Sequence, residues 1–178
     1  RTYSEALGVV GAKVIVADIY FESAEEVGAT IVAKGGEALA IAVDISNEEQ
    51  TLEMARKSKE GFGKIDGLVN NASLMSALPR QPWDRIEVEE WDRVMAVDLR
   101  GLFLCCRAVV PVMSETRGGR IVNISSTRVF EGTPNRLHYT TAKAGVIGFT
   151  RALARELGDL GIGVNVVAPG LTQSDTQV

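Results

Sequence analysis

Tyr139 and Lys143 stand four residues apart in the run HYTTAKAG, and Ser126 lies thirteen residues before the tyrosine. On a helix, residues four apart share a face, so the ammonium sits one turn from the phenol and reaches the same cleft. A phenol with a reference pKa of about 10 is a poor acid-base catalyst near neutrality. A neighbouring ammonium stabilises phenolate and lowers that value, which lets the phenol exchange a proton with an alcohol or a carbonyl oxygen. A serine hydroxyl at the carboxyl end of a strand can hydrogen-bond the same oxygen. Found alone, each residue has a plainer reading: an edge-of-core ring, a solvated charge, a cap or turn serine. His138 beside the tyrosine invites a general-base role, but adjacent helical residues point to different faces, so it is not expected to be essential.

The elements that must position these groups alternate between short β-rich runs and longer helical patterns. KVIVAD at 13–18 reads as a strand suited to burial on both faces of a parallel sheet, led by a turn with Gly8 and Gly11. A helix over 22–34 stops at Gly35 and Gly36, and a second strand, 38–43, ends at Asp44. The next helix starts after Ser46 or Asn47, with Glu48 and Glu49 in its first turn, and ends near Gly61 to Gly63. IDGLVN leads to Asn70 and Asn71. The irregular, proline-bearing segment from Ser73 to Pro82 is longer than most strand-to-helix connections and is a candidate functional loop. Long helices are expected at 88–114 and 137–158, with strands at 119–125 and 162–168. Strand–helix alternation with right-handed crossovers gives an α/β fold, a doubly wound, Rossmann-like parallel sheet, whose ligands bind outside the carboxyl ends of the strands.

Composition narrows the function classes. Of 178 residues, 46% are hydrophobic and 24% charged, which excludes an intrinsically disordered chain and points to one packed domain over 1–178. The balance of 19 Lys+Arg against 23 Asp+Glu, net −4 without a basic run, lacks the footprint of sequence-independent nucleic-acid or anionic-membrane binding, and favours a small-molecule partner. There is neither a long apolar span nor a signal-like start, so a cytoplasmic protein is expected. Adjacent Cys105 and Cys106 in an apolar helical run read as buried reduced thiols, and one histidine with two cysteines gives no metal-ligand spacing.

The ordered set Ser126, Tyr139 and Lys143, NNAS at 70–73, Asp44 after a strand and the Pro169–Gly170 turn resembles the classical short-chain dehydrogenase/reductase family over essentially the whole chain. The resemblance implies hydride exchange with a nicotinamide dinucleotide, interconverting a secondary alcohol and a ketone. Tyr139 is then the acid-base, Ser126 the substrate anchor, and Lys143 the residue that lowers the phenol pKa and holds the nicotinamide ribose. It also implies that Asp44 with Ile45 flanks the adenine, that Asn70, Asn71 and Ala72 set backbone against the adenosine ribose, and that Thr172 and Ser174 past the PG turn meet the nicotinamide carboxamide. Asn70 and Asn71 as strand-terminating turn residues is the other reading. Asp18, followed by Ile19, Tyr20 and Phe21 with no nearby base, can accept from the adenosine ribose hydroxyls and would repel a 2′-phosphate, so NAD is favoured over NADP. The alternative is a simple turn aspartate. By analogy the two long helices imply a homo-oligomer, a tetramer or dimer. A non-catalytic dinucleotide-binding sensor or scaffold on the same fold is the competing function.

Three features depart from the family pattern. The TGxxxGIG turn and its preceding strand are absent, and so are the substrate lid and last strand, so the 178 residues are expected to be a portion of a domain. Asp98, in AVDLRG, stands where the family has an asparagine whose backbone anchors a water in the proton relay to the lysine. A carboxylate keeps that backbone role and adds negative charge near Lys143, which would raise the phenol pKa and alter the pH optimum. Ser73 replaces the last glycine of NNAG, with no role assignable from sequence.

Overall fold

The computed structural model describes residues 1–116 and 118–172, which form two compact units, Arg1–Ile65 and Asp66–Val178. In the first unit, helix α1 (Thr2–Val9) precedes strand β1 (Lys13–Asp18), helix α2 (Phe21–Ala33), strand β2 (Glu37–Ala42) and helix α3 (Glu48–Phe62). Asn47 caps α3, its side chain accepting from Gln50 N at 3.1 Å, and Gly63 closes it at φ 79°, where a side chain would be strained. β1 and β2 pair in parallel from Lys13↔Glu37 to Asp18↔Ala42. Val14 and Val16 are buried against Ala24, Val27 and Ile31 of α2, the stripe that its helical spacing predicts. Burial along β1 alternates rather than covering both faces, with Ile15 half-buried and Ala17 exposed. The continuous apolar run therefore exceeds what this unit alone covers.

The second unit begins with strand β3 (Gly67–Asn70), then single 3₁₀ turns at Met75–Ala77 and Trp83–Arg85 in the segment read as a long loop. Helix α4 (Val88–Met95) continues through a π-helical segment (Ala96–Gly101) into helix α5 (Leu102–Glu115). Strand β4 (Gly119–Ile124), a single turn α6 (Arg128–Glu131), helix α7 (Leu137–Leu157) and strand β5 (Ile162–Val167) follow. The sequence pattern predicts one uniform helix over 88–114. Instead, π-helical turns interrupt it at the residues around Asp98, a distortion that recurs at functional sites.

β4 lies between β3 and β5, parallel to both, with Gly67↔Arg120 and Gly119↔Ile162 beginning the two registers. All described strand pairs are parallel, in one ladder of two strands and one of three. This meets the α/β, Rossmann-like expectation. In the second unit Ile121, Val146, Met113 and Ile162 are buried, and Leu78, Val94, Tyr139 and Ala142 form a further cluster, so one face of the candidate catalytic ring is core. A Cβ on Gly145 would sit 2.9 Å from Leu99 Cδ2, so the absence of a side chain lets α7 lie against the π-helical segment. That contact sets Lys143 beside Asp98.

Candidate active site

Parallel pairing brings the carboxyl ends of β4 and β5 together. Ser125 N donates to Val167 O at 2.8 Å and Thr127 N to Pro169 O at 3.0 Å, tying the Pro169–Gly170 turn to the serine pair. The Ser125 hydroxyl donates to the Lys143 carbonyl at 2.8 Å, which anchors α7 to the end of β4. Ser126, Tyr139 and Lys143 converge as their spacing predicts, each nearly inaccessible at 7%, 5% and 3%. The Ser126 hydroxyl lies against the phenol and favours its ionised form, and Lys143 Nζ stands 5.7 Å from the ring centroid.

Lys143 Nζ donates to Ile124 O at 3.1 Å and lies 3.5 Å from Asp98 Oδ2. Asp98, only 2% exposed, accepts from Leu74 N at 2.9 Å on Oδ1 and from the Ser73 hydroxyl on Oδ2. Ser73, left without a role by sequence reasoning, is thus the partner of the Asp98 carboxylate. Its signal was a coincidence: the two positions departing from the family motif touch each other.

This arrangement corrects one expectation. The phenol of Tyr139 is held above its ordinary value rather than below it, because burial outweighs the hydrogen bond from Ser126 and the Asp98 charge adds to the rise. The cations that favour its ionised form are Arg128 and Arg136. The Lys143 ammonium instead faces the Asp98 carboxylate at 3.5 Å. The ammonium itself is pushed below its ordinary value by burial, partly offset by Asp98. Replacing Asp98 with asparagine removes a negative charge that disfavours phenolate. The limb of the oxidative pH–rate profile governed by Tyr139 then moves to lower pH, and identical profiles for Asp98→Asn and the natural protein would remove this electrostatic role.

The remaining candidates divide between the units. In the first, Asp18 and Asp44 follow adjacent parallel strands, and Val43 N donates to Asp18 O at 2.8 Å. Asp18 is exposed, and its Oδ1 accepts from Tyr20 N at 3.0 Å while Oδ2 is free of protein partners among the described residues. Ile19 is 60% exposed beside it. Asp44 Oδ1 accepts from Ser46 N at 2.9 Å and from the Ser46 hydroxyl at 2.7 Å, an Asx-type turn into α3, and Ile45 is half-buried.

In the second unit, the Asn70 side chain is spent internally. Its Nδ2 donates to Asn123 Oδ1 at 2.9 Å and to Cys106 Sγ at 3.4 Å, and Asn123 donates onward to Thr150 Oγ1 at 2.9 Å. Asn71 and Ala72 are exposed, Thr172 Oγ1 donates to Gly170 O at 3.3 Å, and Ser174 lies outside the described residues. His138 is fully buried, its Nε2 2.8 Å from Glu90 Oε1, where Gln81 Nε2 also donates at 2.7 Å. It ties α7 to α4. The thiols of Cys105 and Cys106 are free and buried, pushed up to about 12 and about 11 by that burial. Among the described residues no group of three His, Cys, Asp or Glu side chains could hold a metal ion, and no helix is long and apolar enough to cross a membrane.

The family model for short chain dehydrogenases matches residues 1–178. The chain belongs to that family. This short-chain dehydrogenase is 39% identical over 173 residues to a 3-oxoacyl acyl-carrier-protein reductase of Synechocystis, covering 96% of the chain and 68% of that protein. It is 44% identical over 164 residues to a hydroxy(phenyl)methyl-succinyl-CoA dehydrogenase subunit of Thauera aromatica, covering 90% of the chain and 63% of the subunit. Among solved structures, one described as a short-chain alcohol dehydrogenase of Sinorhizobium meliloti 1021 superposes with a TM-score of 0.91 at 34% identity, covering 98% of the chain and 68% of that protein. The short-chain dehydrogenase thus spans about two thirds of these proteins' lengths. The named relatives are reductases and dehydrogenases, so the family chemistry is oxidoreduction at a CH–OH group with a nicotinamide dinucleotide.

The residues present fit such a cofactor by their donor chemistry. Of the three N–H donors on Lys143, one goes to Ile124 O and a second faces Asp98, leaving a third for a ribose hydroxyl. In the first unit, taken by itself, the free Oδ2 of Asp18 is an acceptor suited to a ribose hydroxyl.

Proposed function

We propose that this protein is an NAD(H)-dependent oxidoreductase that interconverts a secondary alcohol and a ketone. The observation that carries the reading is the convergence of Ser126, Tyr139 and the Lys143 ammonium in a water-poor site. When bound, the dinucleotide supplies the hydride donor or acceptor at the substrate carbon. Lys143 would hold the nicotinamide ribose together with Tyr139. Pro169, Gly170, Thr172 and Ser174 would meet the carboxamide end. Asp18, Ile19, Asp44, Ile45 and the backbone of Asn70, Asn71 and Ala72 would serve the adenosine end.

For the reduction, Tyr139 donates its phenolic proton to the carbonyl oxygen as the carbon becomes tetrahedral, and Ser126 hydrogen-bonds the same oxygen. A phenol held above its ordinary value is protonated at neutral pH, which suits it to this acid step. In the reverse direction Tyr139 must first give up that proton, so alcohol oxidation is favoured by alkaline conditions. Asp98, held by Ser73 and Leu74, fixes Lys143 and compensates its buried charge.

NADH oxidation by the purified full-length protein against a panel of ketones tests the reading. Turnover supports it, whereas tight dinucleotide binding without turnover of any carbonyl or alcohol would establish the sensor or scaffold instead. Preference for NAD over NADP rests on Asp18, whose carboxylate would repel a 2′-phosphate. Asp18→Ser should therefore lower the NADH to NADPH preference by about tenfold or more, the scale of one charged hydrogen bond. An unchanged ratio would assign Asp18 to the turn alone. The reading includes a homo-oligomer, tetramer or dimer, testable by sedimentation. The reduced, buried Cys105 and Cys106 support a cytoplasmic setting.

A further inference from the structure

Among the described residues, two guanidinium groups beside Tyr139 and a third beside Arg136 have no carboxylate partner. Arg136, which opens α7 three residues before Tyr139, is held in place by one bond, Nη1 to Met75 O at 2.9 Å. Its Nε is buried and has no hydrogen-bond partner. The cost of burying it is raised further by the like charges of Arg80 and Arg128 nearby. Arg128 follows Ser126 by two residues and donates its backbone N–H to the Ser126 hydroxyl at 3.3 Å. Arg128 and Arg136 both act on the Tyr139 phenol. The loop bearing Arg80 is fixed to the same place, with Gln81 N donating to Asn135 O at 3.2 Å.

Among the described residues no carboxylate pairs with Arg80, Arg128 or Arg136, although Arg1 and Arg56 each bridge two glutamates. In a chain of net charge −4, carboxylates are in excess, so two uncompensated cations whose like charge is felt at Arg136 are an unusual local feature. A buried, unpartnered guanidinium N–H is a donor awaiting an acceptor, and planar guanidinium groups match carboxylate and phosphate oxygens. The cluster sits beside the group that transfers the proton, so the ligand that completes it is the substrate. Exposed Phe130, 74% accessible in the turn between Arg128 and Arg136, offers apolar surface alongside.

We propose that Arg80, Arg128 and Arg136 form an anion-binding subsite, and that the substrate is a keto or hydroxy compound carrying a carboxylate or phosphate near its reacting carbon. The proposal rests on the oxidoreductase reading above. Arg136 anchors the anion through its free N–H groups, Arg128 adds a second donor beside Ser126, and Arg80 contributes charge from the loop.

The full-length protein is assayed for NADH-dependent reduction of keto acids of four to eight carbons against their methyl esters, and of keto phosphates against their unphosphorylated parents. The charged member of a pair is expected to exceed its neutral counterpart in kcat/KM by about tenfold to a hundredfold, the range of a charge-assisted hydrogen bond, chiefly through KM. Which pair shows the larger ratio separates a carboxylate from a phosphate. In Arg136→Gln and Arg128→Gln that ratio collapses, whereas Arg136→Lys retains part of it. Exposed Arg80→Gln, which removes no described structural bond, lowers the ratio less and covers the case in which Arg136→Gln does not fold. Equal kcat/KM for charged and neutral members, or a ratio that all the arginine variants leave intact, overturns the subsite while leaving the oxidoreductase reading standing. A pH profile shifted alike for both members while the charged-to-neutral ratio stays unchanged also overturns it, because the arginines would then serve only the phenol. Absence of turnover with every carbonyl overturns the oxidoreductase reading itself.

Discussion

Replacing Tyr139 with phenylalanine lowers carbonyl reduction by about a thousandfold, within the range associated with loss of a positioned acid-base group. The loss falls on kcat. One atom is removed, the ring still fills the cluster with Leu78, Val94 and Ala142, and the helix that carries it keeps its Ser125 anchor through the Lys143 carbonyl. The variant should therefore unfold within a few degrees of the natural protein, because no buried carbon is deleted and no cavity forms. What disappears is the hydroxyl proposed to give the proton at that point. Ser126 remains, but an alcohol of ordinary acidity cannot replace it near neutral pH. Single-turnover reduction of a ketone by NADH, measured from pH 6 to above pH 11, tests the claim. The natural protein should lose reductive rate at the alkaline end as the phenol ionises. The phenylalanine variant should be slow at every pH, with no such limb. Near-normal turnover would move proton transfer to another group and remove Tyr139 from the mechanism.

The architecture and the convergence of Ser126, Tyr139 and Lys143 were legible because each depends on local spacing. Apolar runs marked all five described strands, Asn47 and Gly63 marked the ends of α3, and the four-residue step from Tyr139 to Lys143 placed both side chains on one helix face. What escaped depends on distance in the chain. Ser73 and Asp98 are 25 residues apart, and only the π-helical segment, itself invisible to a periodic pattern, turns the carboxylate toward the serine and the lysine. The sign of the phenol shift was lost for the same reason. A tyrosine beside a lysine suggests a depressed pKa; the opposing charge of Asp98 was legible, but the burial that dominates is a property of packing. Asn70 shows both sides. Its place in a recognisable motif gives its backbone an expected ligand contact, while the packing role of its amide, committed to Asn123 and Cys106, was not legible. Arg80 was overlooked because nothing in the sequence places it near Arg136 until the 75–81 loop is tied to the start of α7.

Loss of the Lys143 ammonium separates catalysis from stability, because its partner is also buried. In Lys143→Met the carboxylate of Asp98 keeps its bonds from Leu74 N and the Ser73 hydroxyl but loses its cation in a site 2% accessible. Breaking a buried ion pair on one side is expected to destabilise the fold by about 3 kcal/mol or more. Activity should fall by about a hundredfold or more, as the donor for the nicotinamide ribose and the order it gives the phenol are lost together. Either effect alone would be ambiguous, since a less stable enzyme is also a less active one. Adding Asp98→Asn resolves them: the double variant buries a neutral amide beside methionine, so at least half of the lost stability should return. Turnover should not. A double-mutant cycle on the denaturant midpoint gives the coupling between the two charges, expected above about 1 kcal/mol for groups in contact within one network. Additive stability losses would show that Asp98 is held by Ser73 and Leu74 alone, and recovered turnover in the double variant would show that Lys143 acts only by neutralising Asp98.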